Sequence, residues 1–264
     1  MTKPTCEDTF LVHKRNLSNG YFSLFFGPYA RATQCRPGQF VHIKLPHTGI
    51  FFRRAYSIAH VIPERNEIEI LLKVFGQGSA LLAGLRKQDS VNLLGPLGKP
   101  FTLPKKGETT LMVAGGIGLP PVLFLAHEMV TRGYDPRKIE FFYGGASHID
   151  LIERTRLRKL GLTLRAVTEN GSLGEHGLVT QLVEKRLCAD RNDRLRMYAC
   201  GPAGMLKTIN ELGLRYRVPG QLSLEAPMPC GIGICLGCVV QLTKGGYARA
   251  CCDGPVFDIG EVAL

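Results

Sequence analysis

The chain has 264 residues, 45% of them hydrophobic, which is enough for two domains of ordinary size and a small additional module. It shows no apolar signal segment near its start and no run of about 18 apolar residues, which argues against secretion or a membrane span and predicts a cytoplasmic protein without membrane contacts. The formal net charge is +11, but Lys and Arg concentrate at 153–160 and 184–196, mixed with acids and lacking aromatic residues, so we expect solvated faces and no nucleic-acid binding.

Residues 8–100 predict a small antiparallel β-barrel. Six apolar or alternating runs are separated by Gly, Pro and Asn turns, as in barrels built from short strands. The runs are TFLVHK, YFSLFF, QFVHIKL, AYSIAHV, EIEILLKV and SVNLLG, and one short helix, SALLAGL, interrupts them at 79–85.

Two motifs in this region suggest a flavin nucleotide site. The run Arg54-Ala55-Tyr56-Ser57 lies on a predicted strand and offers a planar cation for a pyrophosphate, a flat ring for stacking and a hydroxyl. Residues 73–79, KVFGQGS, end a strand and open a helix whose first N–H groups favour phosphate. Alone, the first motif is equally compatible with an ordinary strand, and the second with a hairpin-to-helix turn that has Ser79 as N-cap.

From Thr109 the sequence alternates strand and helix. The predicted strands are TTLMVAGG, KIEFFYGG, LTLRAVTEN and LRMYACG, and the predicted helices are PVLFLAHEMVTRG, a stretch near 149–160, GLVTQLVEKRL and AGMLKTINELG. This alternation indicates a parallel sheet with crossover helices. The composition changes again near residues 218–221, where a cysteine-rich tail begins.

Two strand ends of this region have the chemistry of a dinucleotide site. Residues 111–121, LMVAGGIGLPP, pass from a strand through glycines into a helix start, which places N–H groups at a pyrophosphate. Proline stands where the third glycine of the usual motif would be, which the first helical turn tolerates. Residues 199–205, ACGPAGM, form a second such turn, where Cys200 either faces a nicotinamide or is a buried strand-end thiol.

The tail contains the pattern Cys-x4-Cys-x2-Cys followed by a fourth thiol. Cys230, Cys235 and Cys238 lie among glycines, and Cys251 and Cys252 follow. This order is typical of plant-type [2Fe–2S] ligation, whereas a zinc site, the main alternative, usually has two Cys-x2-Cys pairs. Nine cysteines without a leader also indicate a reducing compartment, and Cys6, Cys35 and Cys188 are expected to be small hydrophobic residues.

Taken in order, these motifs resemble the ferredoxin-NADP reductase superfamily over nearly the whole chain. Within it, the tail is most similar to the electron-transfer subunits of class 1B dihydroorotate dehydrogenase. The similarity rests on two segments, LEAPMPCGIGICLGC and ACCDGPVFD at 250–258. The segment TENGSLG at 168–174 resembles a further motif of that family. The family frame C-x-D-G-P implies that Cys251 is the fourth ligand. Arg54-Ala55-Tyr56-Ser57 departs from the family's R-P-[IFL]-S, and Pro229 replaces the usual alanine.

The resemblance implies a multidomain β and α/β fold. We expect an antiparallel FAD-binding barrel at 1–103, a Rossmann-like NAD-binding domain with a parallel sheet at 104–220 and a small [2Fe–2S] module at 221–264. The implied FAD-binding residues are Arg54, Ala55, Tyr56, Ser57, Leu71, Leu72, Lys73, Gly78 and Ser79. The implied NAD-binding residues are Gly115, Gly116, Ile117, Gly118, Thr168, Cys200, Gly201 and Pro202, and the implied cluster ligands are Cys230, Cys235, Cys238 and Cys251.

The implied activity is electron transfer from dihydroorotate to NAD⁺ in pyrimidine biosynthesis. Electrons would leave an FMN-containing catalytic subunit, in a heterotetramer of two chains of each kind, and pass through the cluster and FAD, with no catalytic residue of the chain itself. Residues 143–147 contain no cation for a 2′-phosphate, which favours NAD over NADP. Two alternatives stay open: an NAD(P)H reductase for a ferredoxin, a sulfur compound or an oxygenase, and a zinc-bearing regulatory or nucleic-acid-binding module.

Overall fold

The computed structural model describes residues 4–18, 20–45, 49–189 and 194–264. Over these residues the chain forms a closed antiparallel barrel, a seven-stranded sheet with helices on both faces, and a small two-stranded hairpin. The fold class predicted from the sequence is therefore confirmed. None of the helices in the described ranges combines the length and hydrophobicity needed to cross a membrane.

Six strands close the barrel, each antiparallel to its neighbours, in the order β1-β2-β5-β4-β3-β6. Each of the six predicted runs lies on one of them. The strands are β1 (Thr5–Ser18), β2 (Tyr21–Gly27), β3 (Phe40–Lys44), β4 (Arg54–Ile62), β5 (Glu67–Lys73) and β6 (Ser90–Leu97), and helix α1 (Gln77–Gly84) follows β5. Because side chains alternate across a strand, Val41 and Ile43 of β3 enter the barrel core while Phe40 and His42 lie on its outer face.

The second sheet contains the predicted strand and helix alternation. Its strand order is β10-β9-β8-β7-β11-β12-β15, and all neighbours are parallel except β12 and β15. The strands are β7 (Thr109–Gly115), β8 (Ile139–Gly145), β9 (Thr163–Thr168), β10 (Glu175–His176), β11 (Leu195–Cys200), β12 (Gly220–Ser223) and β15 (Val256–Asp258). The helices are α2 (Leu119–Thr131), α3 (Arg154–Lys159), α4 (Val179–Ala189) and α5 (Ala203–Tyr216), and the separate hairpin is formed by β13 (Val239–Gln241) and β14 (Tyr247–Arg249).

Several features were not predicted. Strands β12 and β15 are short and lack a distinctive pattern, yet they extend the parallel sheet into the cysteine-rich tail. The helix expected near 149–160 is limited to α3, because Glu153 adopts a left-handed conformation with φ of 54° directly before it. The expectation for the isolated cysteines is wrong at two positions: Cys35 is buried, but Cys6 and Cys188 are exposed and contact polar partners.

The tail connects the barrel to the sheet. Strand β15 pairs with β12 at the edge of the sheet, and the Leu224 N–H donates to the Pro255 carbonyl at 2.9 Å. On the other side, the Lys99 N–H, just after β6, donates to the Gly254 carbonyl. Residues 254–258 are thus bound to both large units.

A buried carboxylate joins the barrel to the sheet domain at a second place. Glu69 of β5 has a fully buried side chain and accepts from the Ser23 hydroxyl at 2.6 Å. It also pairs with Arg15 of β1 at 3.0 Å and with Arg156 of α3 at 2.7 Å. Burial alone would raise the pKa of Glu69, but the nearby Arg156, the Ser23 hydrogen bond and Arg15 outweigh it and lower the pKa below its usual value.

Glu69→Gln is expected to destabilise the protein, because it leaves Arg15 and Arg156 without their shared anion. The expected loss is about 3 kcal/mol, measured as a fall of several degrees in Tm at pH 7. Because folding lowers the pKa of Glu69, its contribution to stability is fully present above the ordinary glutamate pKa of about 4.3. This contribution is lost as the pH falls through the pKa of the folded state. The difference in Tm between variant and wild type should therefore shrink in acid.

Arg137→Ala, at an exposed ion pair with Asp135, serves as control and should leave Tm nearly unchanged. An equal Tm for Glu69→Gln and wild type at pH 7 would contradict the assignment.

Candidate functional site

The nine residues predicted to bind FAD all line one cavity on the barrel. The cavity has a volume of about 500 Å³, and we call it the barrel cavity. Its further lining residues include Phe40 of β3, Pro120 at the start of α2 and residues of the segment that follows β12. The strand motif at 54–57 and the turn at 73–79, far apart in sequence, therefore form one site.

Arg54 and the start of α1 meet at one end of the barrel cavity. A Cβ on Gly78 would lie 3.1 Å from Arg54 Nε, so the side chain of Arg54 lies against the first turn of the helix. The Ser79 hydroxyl accepts from the N–H groups of Phe75 and Gly76 at 2.9 and 3.1 Å, which fixes the loop. Ser79 is thus the third helical residue and not the N-cap. The arginine and the free N–H groups of the helix start form a site for a phosphate.

The rest of the barrel cavity is suited to a flat, mainly apolar group. Tyr56 is half-buried, and burial raises the pKa of its hydroxyl to about 12, with a smaller opposing effect of Arg54, so the ring stays neutral. Leu71 and Leu72 form an apolar part of the cavity wall. An aromatic ring beside aliphatic side chains, with a phosphate site at one end, fits a flavin nucleotide.

A second cavity of about 510 Å³, which we call the sheet cavity, lies at the carboxyl ends of the parallel strands. Six of the eight residues predicted to bind NAD line it: Gly115, Gly116, Ile117, Gly118, Gly201 and Pro202. Open α/β sheets bind nucleotides at this edge. Prolines occupy the first turn of α2, as the sequence predicted.

The glycines of the first turn have two different roles. Gly116 has φ of 50° and open space where a Cβ would stand, so it leaves the cavity free. Gly118 instead packs against the carbonyl of Cys200, leaving no room for a side chain. One glycine therefore keeps the cavity open and the other allows the ends of β7 and β11 to touch.

The remaining two predicted residues do not line the sheet cavity. The Thr168 side chain is fully buried and exchanges hydrogen bonds with the backbone of Leu173 at 2.9 and 3.0 Å, so it holds the loop, while its neighbour Glu169 lines the cavity. Cys200 lines the barrel cavity instead. Burial, with a smaller contribution from the charge of Glu225, raises the pKa of the Cys200 thiol well above its usual range, which keeps it protonated.

The two cavities adjoin. Lys73, Phe75, Ile117 and Glu225 line both of them. Glu225, the acid of the LEAP motif after β12, was not predicted to lie in either cavity, and burial raises its pKa. Nor did the sequence indicate that Lys73 would be held at the junction by Asp150.

A polar contact between the barrel and the loop after β8 fixes Lys73. Its ammonium lies 2.9 Å from Asp150 Oδ1, and the Tyr21 hydroxyl donates to the same oxygen at 2.6 Å. The Ser147 N–H donates to the other carboxylate oxygen at 3.1 Å. The junction thus has one positioned cation on its wall.

The cysteines of the tail form two groups. Cys230 and Cys235 are joined by a side-chain hydrogen bond within the loop. The β13–β14 hairpin returns the chain so that the Sγ atoms of Cys238 and Cys251 lie 3.3 Å apart, both residues being buried. Cys252 Sγ lies 3.7 Å from Cys251 Sγ and against Gly233.

The loop backbone is shaped around the sulfur of Cys230. Gly231 and Gly233 have φ of 71° and 78°, a backbone conformation that residues with a Cβ rarely adopt. Burial opposes ionisation of Cys230, but hydrogen bonds from the loop, first from the Cys235 N–H and then from Ile232, outweigh it and lower the pKa of the thiol to about 6. N–H groups directed at sulfur are expected of an iron–sulfur loop.

A second contact ties this loop to the D-G-P turn. Arg249 donates to both carboxylate oxygens of Asp253, at 2.9 and 3.2 Å, and to the Gly233 carbonyl at 3.3 Å. The side-chain hydrogen bonds of Arg249 lower the pKa of Asp253. Asp253 of the motif therefore orients Arg249, and Arg249 in turn binds the loop at the Gly233 carbonyl.

The donor arrangement fits a two-iron cluster. Of the predicted ligands, Cys230 and Cys235 lie together in the loop, and Cys238 and Cys251 lie together beside the hairpin. A zinc ion takes four ligands at one centre, whereas a [2Fe–2S] cluster takes two thiolates at each of two irons. One thiol pair in the loop and another at the hairpin agree with the second arrangement.

Three family models match successive parts of the chain. Residues 10–101 match an oxidoreductase FAD-binding domain, residues 112–211 an oxidoreductase NAD-binding domain, and residues 225–263 the iron-sulfur cluster binding domain of dihydroorotate dehydrogenase B. The cofactors inferred from the motifs, FAD, NAD and an iron–sulfur cluster, are therefore confirmed at the level of domains.

Curated relatives match nearly the whole chain. The electron transfer subunit of dihydroorotate dehydrogenase B (NAD(+)) from Shouchella clausii is 36% identical over 236 residues, which cover 87% of each chain. The subunit of the same name from Desulforamulus reducens is 34% identical over 248 residues, covering 92% of each chain. The chain belongs to this family of oxidoreductase subunits.

Solved structures agree on the fold. An NADH-dependent reduced ferredoxin-NADP oxidoreductase, studied for flavin-based electron bifurcation, has a chain that is 27% identical, with a TM-score of 0.84 over 97% of this chain and 89% of that one. The ferredoxin reductase of carbazole 1,9a-dioxygenase has a TM-score of 0.68 at 23% identity, over 81% of this chain and 67% of that one, and shows the fold alone.

Arg54→Ala should weaken FAD binding about 10- to 100-fold, because a charge-assisted hydrogen bond contributes about 1.5–3 kcal/mol. The measurement is a titration of flavin-depleted protein with FAD. Arg53→Ala is the matched control, since Arg53 donates to the Asn92 backbone carbonyl at 3.0 Å and does not line the barrel cavity. Equal FAD affinities of Arg54→Ala and wild type would contradict the phosphate site.

Cys251→Ser should lose most of the bound iron, whereas Cys252→Ser should retain it, because Cys251 is the residue paired with Cys238 in the buried group. Iron and acid-labile sulfide per chain, with the visible spectrum, are measured after anaerobic purification. The opposite pattern, with iron lost only in Cys252→Ser, would move the fourth ligand to Cys252.

Proposed function

We propose that this chain, as a member of the electron transfer subunit family of dihydroorotate dehydrogenase B (NAD(+)), transfers electrons to NAD⁺. The electrons come from a partner subunit that oxidises dihydroorotate, a step of pyrimidine biosynthesis. When bound, the iron–sulfur cluster supplies one-electron transfer and the flavin converts between single electrons and the hydride of the nicotinamide. The chain's own residues bind, orient and shield these groups.

The observation that carries the proposal is that the three sites share walls. Lys73, Phe75, Ile117 and Glu225 line both cavities. Phe40, Ala226 and Met228 line the barrel cavity and also pack in the cluster that contains Cys238 and Cys251. The barrel cavity therefore lies between the sheet cavity and the cysteines, which is the order that an electron relay requires.

In the barrel cavity, we assign Arg54, Gly78 and Ser79 to the pyrophosphate of FAD. Ala55, Tyr56, Ser57, Leu71, Leu72 and Lys73 are assigned to the remainder of the flavin nucleotide, since all of them line the cavity. The protonated Cys200 thiol adds a small, neutral group to the same wall. Glu225 can exchange a proton at higher pH than an ordinary carboxyl, because burial raises its pKa.

In the sheet cavity, we assign the NAD pyrophosphate to the turn at Gly115–Gly118 and the start of α2. Gly201 and Pro202 would lie at the nicotinamide end, with Thr168 positioning the loop that carries Glu169. The absence of a cation at 143–147 and the carboxylate of Glu169 on the wall both disfavour a 2′-phosphate. We therefore propose NAD as the coenzyme.

The four ligands proposed for the cluster are Cys230, Cys235, Cys238 and Cys251. We also propose functional units at 1–103, 104–220 and 221–264, although β12 and β15 continue the sheet across the last of these limits. The third unit would deliver electrons to the first through their shared wall at Phe40.

The name of the relatives as subunits supports a catalytic partner. We propose that this partner contains FMN, that it docks on the cysteine loop and that the complex is a heterotetramer of two chains of each kind. Cys235 is exposed, and Ile232, Ile234 and Leu236 of the loop are exposed at 45%, 75% and 60%. Apolar side chains concentrated beside an exposed thiol indicate a surface that another protein covers.

A second candidate function is reduction of a ferredoxin or a related acceptor by NAD(P)H. The likeness to a chain of the NADH-dependent reduced ferredoxin-NADP oxidoreductase, over 97% of this chain, favours it. The same three sites would serve this reaction, so only the partner distinguishes the two.

The test is co-expression of the chain with the FMN-containing dihydroorotate-oxidising subunit of the same organism. The purified complex should form orotate at a rate that depends on NAD⁺, and native mass spectrometry should show two chains of each kind. Amide hydrogen exchange of residues 230–238 should slow in the complex, because the partner covers them.

The chain alone is the control, and it should oxidise NADH with an artificial acceptor but not oxidise dihydroorotate. Failure to bind the FMN subunit, together with rapid NAD(P)H-dependent reduction of a ferredoxin, would overturn the main proposal in favour of the second.

A further inference from the structure

His42 is a buried imidazole between the barrel and the tail. It lies on β3 opposite Ala55 of β4 and Leu94 of β6, and its side chain is fully buried. Because Val41 and Ile43 point into the barrel core, His42 points outward, on the same face as Phe40. The two rings on this face have centroids 5.6 Å apart.

This imidazole has no hydrogen-bond partner within the described part of the chain. Nδ1 and Nε2 are both buried, and neither has a partner among the residues that the structure describes. An imidazole carries at least one N–H donor in every protonation state. Buried polar groups are almost always paired, so a donor here calls for an acceptor that the described chain does not provide.

The ring faces the cysteine loop. A Cβ on Gly231 would lie 2.7 Å from Cε1, 2.9 Å from Nδ1 and 3.0 Å from Nε2 of His42, so the loop backbone lies directly on the imidazole. Gly231 follows Cys230, and its φ of 71° turns the loop at this point. On the same outer face, Phe40 packs with Cys238 and Cys251. His42 is therefore enclosed between β3 and the segment that holds the proposed ligands.

We propose that His42 is a positioning residue that donates a hydrogen bond from its ring to a sulfur atom at the Cys230 end of the iron–sulfur site. The proposal rests on the [2Fe–2S] site described above. Hydrogen bonds to cluster sulfur stabilise the reduced, more negative state and raise the reduction potential. His42 would thus help to set the potential at which the cluster exchanges electrons.

The test compares substitutions at His42 in the full chain with FAD and cluster bound. His42→Phe removes both nitrogens and keeps an aromatic ring, while His42→Asn and His42→Gln each retain an N–H donor at different reach. The midpoint potential of the cluster is measured by EPR-monitored redox titration. His42→Phe should lower the equilibrium constant for cluster reduction about tenfold, equivalent to about 59 mV for one electron. One of the two amide variants should remain near the wild-type potential and so identify the donating nitrogen.

His60→Phe is the matched control. His60 is also on a barrel strand and has a buried Nδ1 without a partner among the described residues, but its ring contacts His127 of α2, at 4.3 Å between centroids, and not the cysteine loop. Its substitution should leave the cluster potential unchanged. An unchanged potential in His42→Phe with full iron content would overturn the proposal and leave the ring as a packing group.

A spectroscopic readout on the unsubstituted chain does not depend on whether the variants fold. Pulsed EPR of the reduced cluster in protein labelled with ¹⁵N-histidine should show a weak nitrogen coupling, and its absence would overturn the hydrogen bond. Neither measurement uses dihydroorotate or the partner subunit. Failure of the proposed activity in the co-expressed complex is therefore distinguishable from failure of this inference.

Discussion

The arrangement of the molecule depends on the short tail segment at 254–258, because it is bound to the barrel and to the sheet at once. Its strand β15 continues the sheet beside β12, while the Gly254 carbonyl accepts from the Lys99 N–H at the end of the barrel. The hairpin with Cys238 and Cys251 ends immediately before this segment. Fixing the tail therefore also fixes the cysteines against the outer face of β3.

This placement explains why Phe40 and His42, on the outer face of β3, are buried. Val41 and Ile43 fill the barrel, and Phe40 on the opposite face contributes both to the barrel cavity and to the packing around the buried cysteines. A barrel strand that faced water would normally carry polar residues on its outer side. The departure from that alternation at Phe40 marks the place where the tail covers the barrel and where the barrel cavity adjoins the buried cysteines.

The elements and motifs with a local signature could be predicted from the sequence, and contacts between distant segments could not. Alternating runs predicted the six barrel strands, and local motifs supplied nine predicted residues that line the barrel cavity and six that line the sheet cavity. His42 has no local pattern, and the motif that contains Glu225 does not show which cavities this residue lines, because each residue gains its setting only when the tail packs against another unit. For Thr168 the motif was recognisable, but the motif did not predict where the side chain would lie. Its hydroxyl bonds to the loop backbone and does not line the cavity.

Polar contacts complete the alignment of the two cavities. Glu69 of β5 pairs with Arg156, and Lys73 at the end of the same strand pairs with Asp150, so both contacts join β5 to the segment at 150–156. Each contact has a second partner on another barrel strand, Arg15 of β1 or Tyr21 of β2. Hydride transfer requires two bound groups in a fixed relative geometry, and small displacements are costly. Two ion pairs between β5 and the segment at 150–156 restrict rotation between the barrel and the sheet domain more effectively than a single contact could.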